Sequence, residues 1–515
     1  MQLQAGALWL THGLAPVSVC QAFEGRSHAV DVRPRHMRRA SMRTIISSMG
    51  ALLLFVVPVT GHAQDTRATL ERAAAAMGAS ALTTLEYTAA GTMFDVGQSA
   101  VPGQRGPQFT IKSYARSINY ETTSLRTDLE RARTEARGGG APAPRQIWMV
   151  SGDHAWNVVG ETAAPAPVAL AQRQLELWTT PHGIIKAAMK YNATVEGRTI
   201  SFAVPDRLRA KATLSEANLV DKVEAIIPNP VVGDLPVEIR YADYKDFGGV
   251  KFPTKISQSA AGSPWFELAV NDVRPNAAVD ITVPEPVRQA VRPYAHVTNQ
   301  KVADGVWYLT GGSHHSVAIE MKDHVIVVEA PLNDERAMGV LSAVRELVPA
   351  KPIRYVVASH HHFDHAGGLR AFASVGVTVV AHESDRAFLT QALAAPATIS
   401  PDLLAKSGRK AKVEGVRDRR VMNDGTRTVE IHHVAGNNHE DGMLMVYLPK
   451  EKLLIQADMF TPPPPNGPPP ATVNPNTVNL ADNIARLGLT VEQHLPLHGR
   501  IVPMAELNKA IGRAQ

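Results

Sequence analysis

A chain of 515 residues that is 44% hydrophobic and 20% charged can bury two or three cores, which excludes a disordered or fibrous protein. Its net charge of +5 does not point to a polyanion, because residues 1–63 carry six arginines against two acids and the remainder holds 47 basic and 46 acidic residues. Nucleic acid is therefore not an expected partner. The single cysteine, Cys20, falls in the same upstream piece, so the rest is expected to have no disulfide, no thiolate metal ligand and no cysteine nucleophile.

In chain order, residues 37–43 are basic, residues 44–59 apolar, and Gly61-His62-Ala63 offers small residues where a signal peptidase reads. That succession predicts a bacterial secretory signal over residues 37–63, cleaved after Ala63. The apolar stretch is interrupted by Pro58 and is short for a membrane span. Residues 1–36 make no sense ahead of such a signal, so translation is expected to begin at Met37 or Met42. The mature protein is expected in the periplasm or outside the cell, with no stable membrane insertion.

Residues 64–290 read as a β-rich accessory domain. A short helix over 67–77 precedes alternating strands at 85–94, 109–119, 146–150 and 155–159, punctuated by the Gly/Pro-rich run 138–144. A helix over 167–189, broken by Pro181, leads to further strands at 222–227, 237–244, 252–258 and 265–273. Residues 241–253, YADYKDFGGVKFP, resemble a turn and strand of periplasmic lipoprotein-carrier-like proteins, whose curved antiparallel sheets wrap apolar ligands. No catalytic residue types cluster here, and the isolated His154 and His182 read as structural.

Pro284-Glu285-Pro286 and Arg292-Pro293 predict a linker. Beyond it, residues 295–515 form the second expected domain, able to fold and hold metal by itself. Strands at 302–310, 316–320 and 324–329 are followed by a helix over 333–348, a strand at 353–358, and a β/α alternation through 394. Residues 396–420 are polar and read as an insertion near the active-site rim. Strands at 428–434, 443–447, 452–456 and 493–497 and a helix over 478–487 complete the chain.

Ser359-His360-His361-His362-Phe363-Asp364-His365 sits between a buried strand and a helix start. Alternate residues of an extended segment point the same way, so His360 and His362 can approach one cation while Asp364 and His365 turn toward a second position beside it. This suits a two-metal site with ions about 3.5–4 Å apart. Packing these groups with no cation would crowd polar rings without a common partner. His361 alternates away and is expected to be dispensable.

His360-x-His362-x-Asp364-His365 resembles the signature of the metallo-β-lactamase superfamily. The resemblance covers about residues 300–515 and implies an α/β fold, the four-layer αβ/βα sandwich, preceded here by the mainly antiparallel β domain. It also implies three more ligands at strand ends. His439, in GNNHEDG, resembles the third histidine of the first site, with Asn438 and Glu440 where the family usually has Gly and Thr. Asp458 resembles the bridging aspartate, with Ala457 in place of the common glycine. His498 matches the final histidine. The implied metal ligands are His360, His362, Asp364, His365, His439, Asp458 and His498, with Asp364 and Asp458 also catalytic.

Nitrogen and oxygen ligation suits two zinc ions and admits iron or manganese. The expected protein is an exported dinuclear-metal hydrolase that uses a metal-bound hydroxide on an ester, lactone, thioester or related bond of a small molecule. The missing cysteine and the presence of Asp458 tilt the resemblance toward glyoxalase II-, lactonase- and esterase-like branches. Three alternatives stand beside it: β-lactam hydrolysis, iron-dependent redox chemistry on the same ligands, and a lipid or lipoprotein carrier with an appended hydrolase. His314 and His315, on a Gly-rich turn, could reach the cleft mouth. His382, His432, His433 and His494 flank strands and read as supporting or structural residues.

Overall fold

The computed structural model describes residues 60–134, 145–290, 296–465 and 472–513. The upstream segment, the leader up to residue 59, the run 138–144 and part of the expected linker lie outside the described residues. No described helix is long and apolar enough to cross a membrane.

The first half forms one sheet of thirteen strands, antiparallel throughout, in which the strand Thr84–Phe94 pairs with Ser263–Pro275 and so joins the two ends of the meander. Alternation along each strand sends one face inward, as in Leu208–Leu214, where every second residue is buried. Against that face pack the helices Thr60–Met77, Leu170–Trp178 and Pro181–Lys190. The break expected at Pro181 is present: Thr180 accepts a hydrogen bond from the Gly183 amide at 3.1 Å and caps the last of these helices, with Pro181 in its first turn.

Helices and aromatic rings fill the curve of this sheet. One cavity within it, about 20 Å³, is lined by Tyr87, Tyr114, Tyr241 and Phe252 and holds the ion pair Arg116–Glu176 at 2.5 Å. A space of that size takes about one water.

His182 is a structural histidine. It is fully buried, stacks on Phe252 with centroids 6.0 Å apart, and donates from Nε2 to the Met77 carbonyl at 3.1 Å. Burial lowers its pKa from 6.5 to about 4. Protons bind the unfolded form first as pH falls, so the stability gained by keeping this ring neutral is present above pH 6.5 and is lost progressively from 6.5 down to about 4. The expected loss is roughly 3 kcal/mol. Urea unfolding across that window should show a shallower pH dependence in His182→Gln than in the parent.

The second half contains a seven-stranded and a six-stranded sheet. In the first, Val325–Val328, Ile353–Val357, Thr378–His382 and Val413–Val416 run parallel, each connection crossing over by a helix. Alternation sorts the layers. Val306 and Tyr308 face Ile431, Val446 and Ile455 of the other sheet, whereas Trp307 and Leu309 face outward against Val340, Leu341 and Phe372 of the helices. Helices Pro475–Arg486 and Met504–Ala510 cover the outer face of the six-stranded sheet. The result is the expected αβ/βα sandwich.

Two segments differ from expectation. Residues 284–288, read as linker, include the helical turn Glu285–Arg288, because Val287 finds an apolar niche with Trp156 and Ile281. Residues 396–420, read as a rim insertion, form a short helix and the edge strand Val413–Val416, because Leu404 is buried and Arg370 reaches the Asp402 carboxylate. Their N-terminal end meets the large sheet: Asp234 accepts from the Thr398 amide at 2.8 Å and its own amide donates to the Pro396 carbonyl at 2.7 Å.

Candidate metal centre

The strand Ile353–Val357 ends in a tight segment whose three histidines, His360, His361 and His362, are each 1% exposed. A helical turn, Phe363–Ala366, follows and carries Asp364 and His365. Gly367 lets this turn back onto the chain before the helix Asp334–Leu347, since a Cβ there would lie 2.0 Å from the Leu332 carbonyl oxygen. The Leu332 amide donates to the Asp364 carbonyl at 2.8 Å and locks the two loops together.

The other ligands arrive on strand ends of the six-stranded sheet. His439 sits between Thr428–His433 and Leu444–Leu448, where the Asn437 side chain accepts from the amides of His439 at 2.8 Å and Glu440 at 3.1 Å. That turn supplies the local bonding at a place where the family's usual Gly and Thr are replaced. Asp458 follows Leu453–Gln456 with φ of 56°, and His498 follows Gln493–Pro496. All seven residues singled out in the sequence are brought together: His360, His362, His439 and Asp458 in one group, and Asp364, His365 and His498 in another that also includes His314.

The orientation of the rings fits cations. His360 has its Nδ1 2.9 Å from Ser359 Oγ, which donates to Glu329 Oε2 at 2.6 Å, and His362 donates from Nε2 to the Ser99 carbonyl at 2.9 Å. His365 donates from Nδ1 to Glu329 Oε2 at 3.0 Å, and His498 from Nδ1 to the Ser313 carbonyl at 3.0 Å. Each ring thus spends its proton on a protein acceptor and turns its other nitrogen inward. His360 Nε2, His362 Nδ1 and His439 Nε2 have no hydrogen-bond partner although they are buried. Two of them stand 3.4 and 2.8 Å from Asp458 Oδ2 without hydrogen-bonding geometry, the arrangement of ligands around a shared ion.

Between the two groups, Asp458 Oδ2 lies 3.2 Å from His365 Nε2 and Oδ1 lies 2.8 Å from His498 Nε2. The Nε2 atoms of His365 and His498 face each other at 3.1 Å, which calls for a proton or a cation between them. Burial opposes charge on His365, yet Asp458, Asp364 and Glu329 hold its pKa well above the usual range. Burial is likewise outweighed at Asp458, whose histidine neighbours keep it well below the usual carboxylate range. This is a carboxylate placed among groups that want a positive charge.

Residues 309–487 match the family model described as the metallo-β-lactamase superfamily. That stretch is of the metallo-β-lactamase superfamily. His498 lies beyond the matched stretch, and the fold carries it into the centre. The 2,4-dinitroanisole O-demethylase subunit alpha of Nocardioides sp. (strain JS1661) is 29% identical over 211 residues, which cover 39% of this chain and 57% of that relative. The chain thus spans a little over half the length of that curated protein. Among solved structures, the metallo-beta-lactamase from Pontibacter korlensis aligns at 17% identity and TM-score 0.32, covering 42% of this chain and 98% of that one. The metallo beta lactamase from Hirschia baltica aligns at 19% identity and TM-score 0.31, covering 42% and 99%.

Three contributors to this metal centre were not assigned in the sequence. Glu329, wholly buried at the end of Val325–Val328, holds both His365 and Ser359. Its only sequence signal was an acid ending an apolar strand. His314, left open as a cleft residue, places Nε2 3.2 Å from Asp364 Oδ2 and its ring 4.1 Å from that of His498. His361 does point away from the metal groups, but not into an indifferent site. Its Nδ1 meets Glu440 Oε1 at 3.2 Å and Asp385 Oδ1 at 3.5 Å, and all three side chains are buried. Burial opposes charge on His361, but the two carboxylates raise its pKa to about 9. Burial pushes Glu440 up to about 7. The imidazolium therefore ties the loop of His360 and His362 to the loop of His439. His315, by contrast, donates from Nε2 to the Gly499 carbonyl at 2.9 Å and serves the loop of His498.

Proposed function

We propose that this protein is an exported dinuclear-metal hydrolase, with zinc as the resident metal, that cleaves an ester, lactone, thioester or related bond of a small molecule. The observation that carries it is the division of Asp458, with Oδ2 toward His360, His439 and His365 and Oδ1 toward His498. His360, His362 and His439 would hold one cation, and Asp364, His365 and His498 the other, with Asp458 between them. Two cations in such a site supply an activated water near neutral pH and polarise the bond it attacks.

The chain's own groups do the rest. Asp458 keeps the two positions close by placing negative charge between them. Asp364 is the most open ligand, its side chain 37% exposed, so substrate approaches from its side. There His314 can donate from Nε2 to Asp364 Oδ2 while its Nδ1 accepts from Ser313 Oγ at 2.8 Å. No protein nucleophile is required.

A second reading comes from the name of the O-demethylase relative. Removal of methyl from an activated aryl ether is also a hydrolysis when water adds and a phenol and methanol leave, with no oxidant consumed. Metal content by plasma mass spectrometry, together with turnover of lactone, thioester, β-lactam, phosphodiester and nitroanisole substrates, separates these readings. About two zinc ions per chain with acyl hydrolysis are expected. Iron with oxygen consumption would overturn the hydrolase reading.

A further inference from the structure

The β-rich domain reaches the metal centre. The loop between its strands Thr84–Phe94 and Gln108–Asn119 makes three bonds to the segment of His360–His365 and one to the loop of His439. Gln98 Nε2 donates to Asp364 Oδ1 at 2.8 Å, and the Ser99 carbonyl accepts from His362 Nε2 at 2.9 Å. The Phe363 amide donates to the Gly97 carbonyl at 3.2 Å, and the Asp441 amide to the Ala100 carbonyl at 2.9 Å. The loop is itself braced: Ser99 Oγ donates to the Val101 carbonyl at 2.8 Å, and Asp95 pairs with Arg131 at 2.5 Å.

From these contacts we infer that residues 97–100 are a working part of the metal centre, and that Gln98 is a positioning residue of the second metal site. The inference rests on the two-metal reading above. Asp364 has two oxygens. Gln98 donates to Oδ1, while Oδ2 faces His314 Nε2 at 3.2 Å and lies 3.7 Å from His365 Nε2, so Oδ2 is the oxygen on the side of the other ligands. A carboxylate free to rotate would present either oxygen; one held by Gln98 at Oδ1 and by His314 at Oδ2 keeps Oδ2 toward the other ligands. On the first site, the Ser99 carbonyl takes the Nε2 proton of His362 and so fixes the tautomer whose Nδ1 faces inward. Gly97 permits the approach. Its φ is +77°, and a Cβ there would lie 2.3 Å from the Phe363 ring. A second contact, at Asp234 and residues 396–399, holds the sheet in register with the catalytic domain. The catalytic domain was expected from sequence to hold metal alone; on this inference its ligands are only half supported without the β-rich half.

The test uses the full-length chain and competition with a chromophoric chelator for zinc and for cobalt. Gln98→Ala should weaken the second ion by about 10- to 100-fold and leave the first unchanged, with an unchanged melting curve. The cobalt spectrum should change only in the portion that appears with the second equivalent. Gly97→Val, which displaces the whole loop, should weaken both ions. Unchanged affinities in Gln98→Ala would overturn the inference. So would equal loss at both sites accompanied by a lower melting temperature, since that describes general destabilisation. A parent chain that binds only one ion would instead remove the two-metal reading on which the inference stands.

Discussion

Asp458→Asn should lower the metal content from about two ions to about one and slow hydrolysis by at least 10²-fold, on the order of 2.7 kcal/mol of transition-state stabilisation. The substitution isolates charge. Asparagine has the same size and tolerates the left-handed conformation that residue 458 adopts at φ of 56°, so the backbone can stay as it is. What is lost is the negative charge whose Oδ2 faces three histidines and whose Oδ1 faces His498. The second ion should leave first, because His360, His362 and His439 remain as a complete trio. Plasma mass spectrometry beside the turnover rate measures both effects. Full occupancy at the parent rate would reject a bridging role.

His361→Ala should destabilise the protein by about 3–5 kcal/mol, because it leaves Glu440 and Asp385 buried together with no cation. First-ion affinity should fall with it, by about 10- to 100-fold, since the tie between the two ligand loops is gone. Urea unfolding and chelator competition measure the two. Adding Glu440→Gln should recover part of the stability by removing one of the stranded charges, whereas a silent single variant would show that the cluster carries no energy. Sequence alternation alone predicted that silence. Alternation says which way a side chain points, and His361 does point away from the metal groups; it does not say what waits on the other side. Asp385 and Glu440 lie on different elements, and only packing brings them to His361.

What the sequence determined by itself is the part of the centre written locally. His360, His362, Asp364 and His365 fall within six positions, and the pleat and the following turn dictate how they divide. His439, Asp458 and His498 lie far along the chain from that cluster and were reached only through the resemblance to the superfamily. The β/α alternation was legible because buried strands and the helices between them leave continuous and periodic apolar runs, whereas the four-layer sandwich was implied by the resemblance. The tertiary structure decided everything that depends on chain closure. Glu329 is 36 residues from His365, Gln98 is 266 from Asp364, and Ser99 is 263 from His362. A glutamate, a glutamine and a backbone carbonyl have no distinctive spacing, and a carbonyl has no side-chain identity at all. The metal ligands share one small ion and so must come in recognisable types; the groups that orient them need only one acceptor or donor at the right place. That place is set by how the large sheet packs on the sandwich.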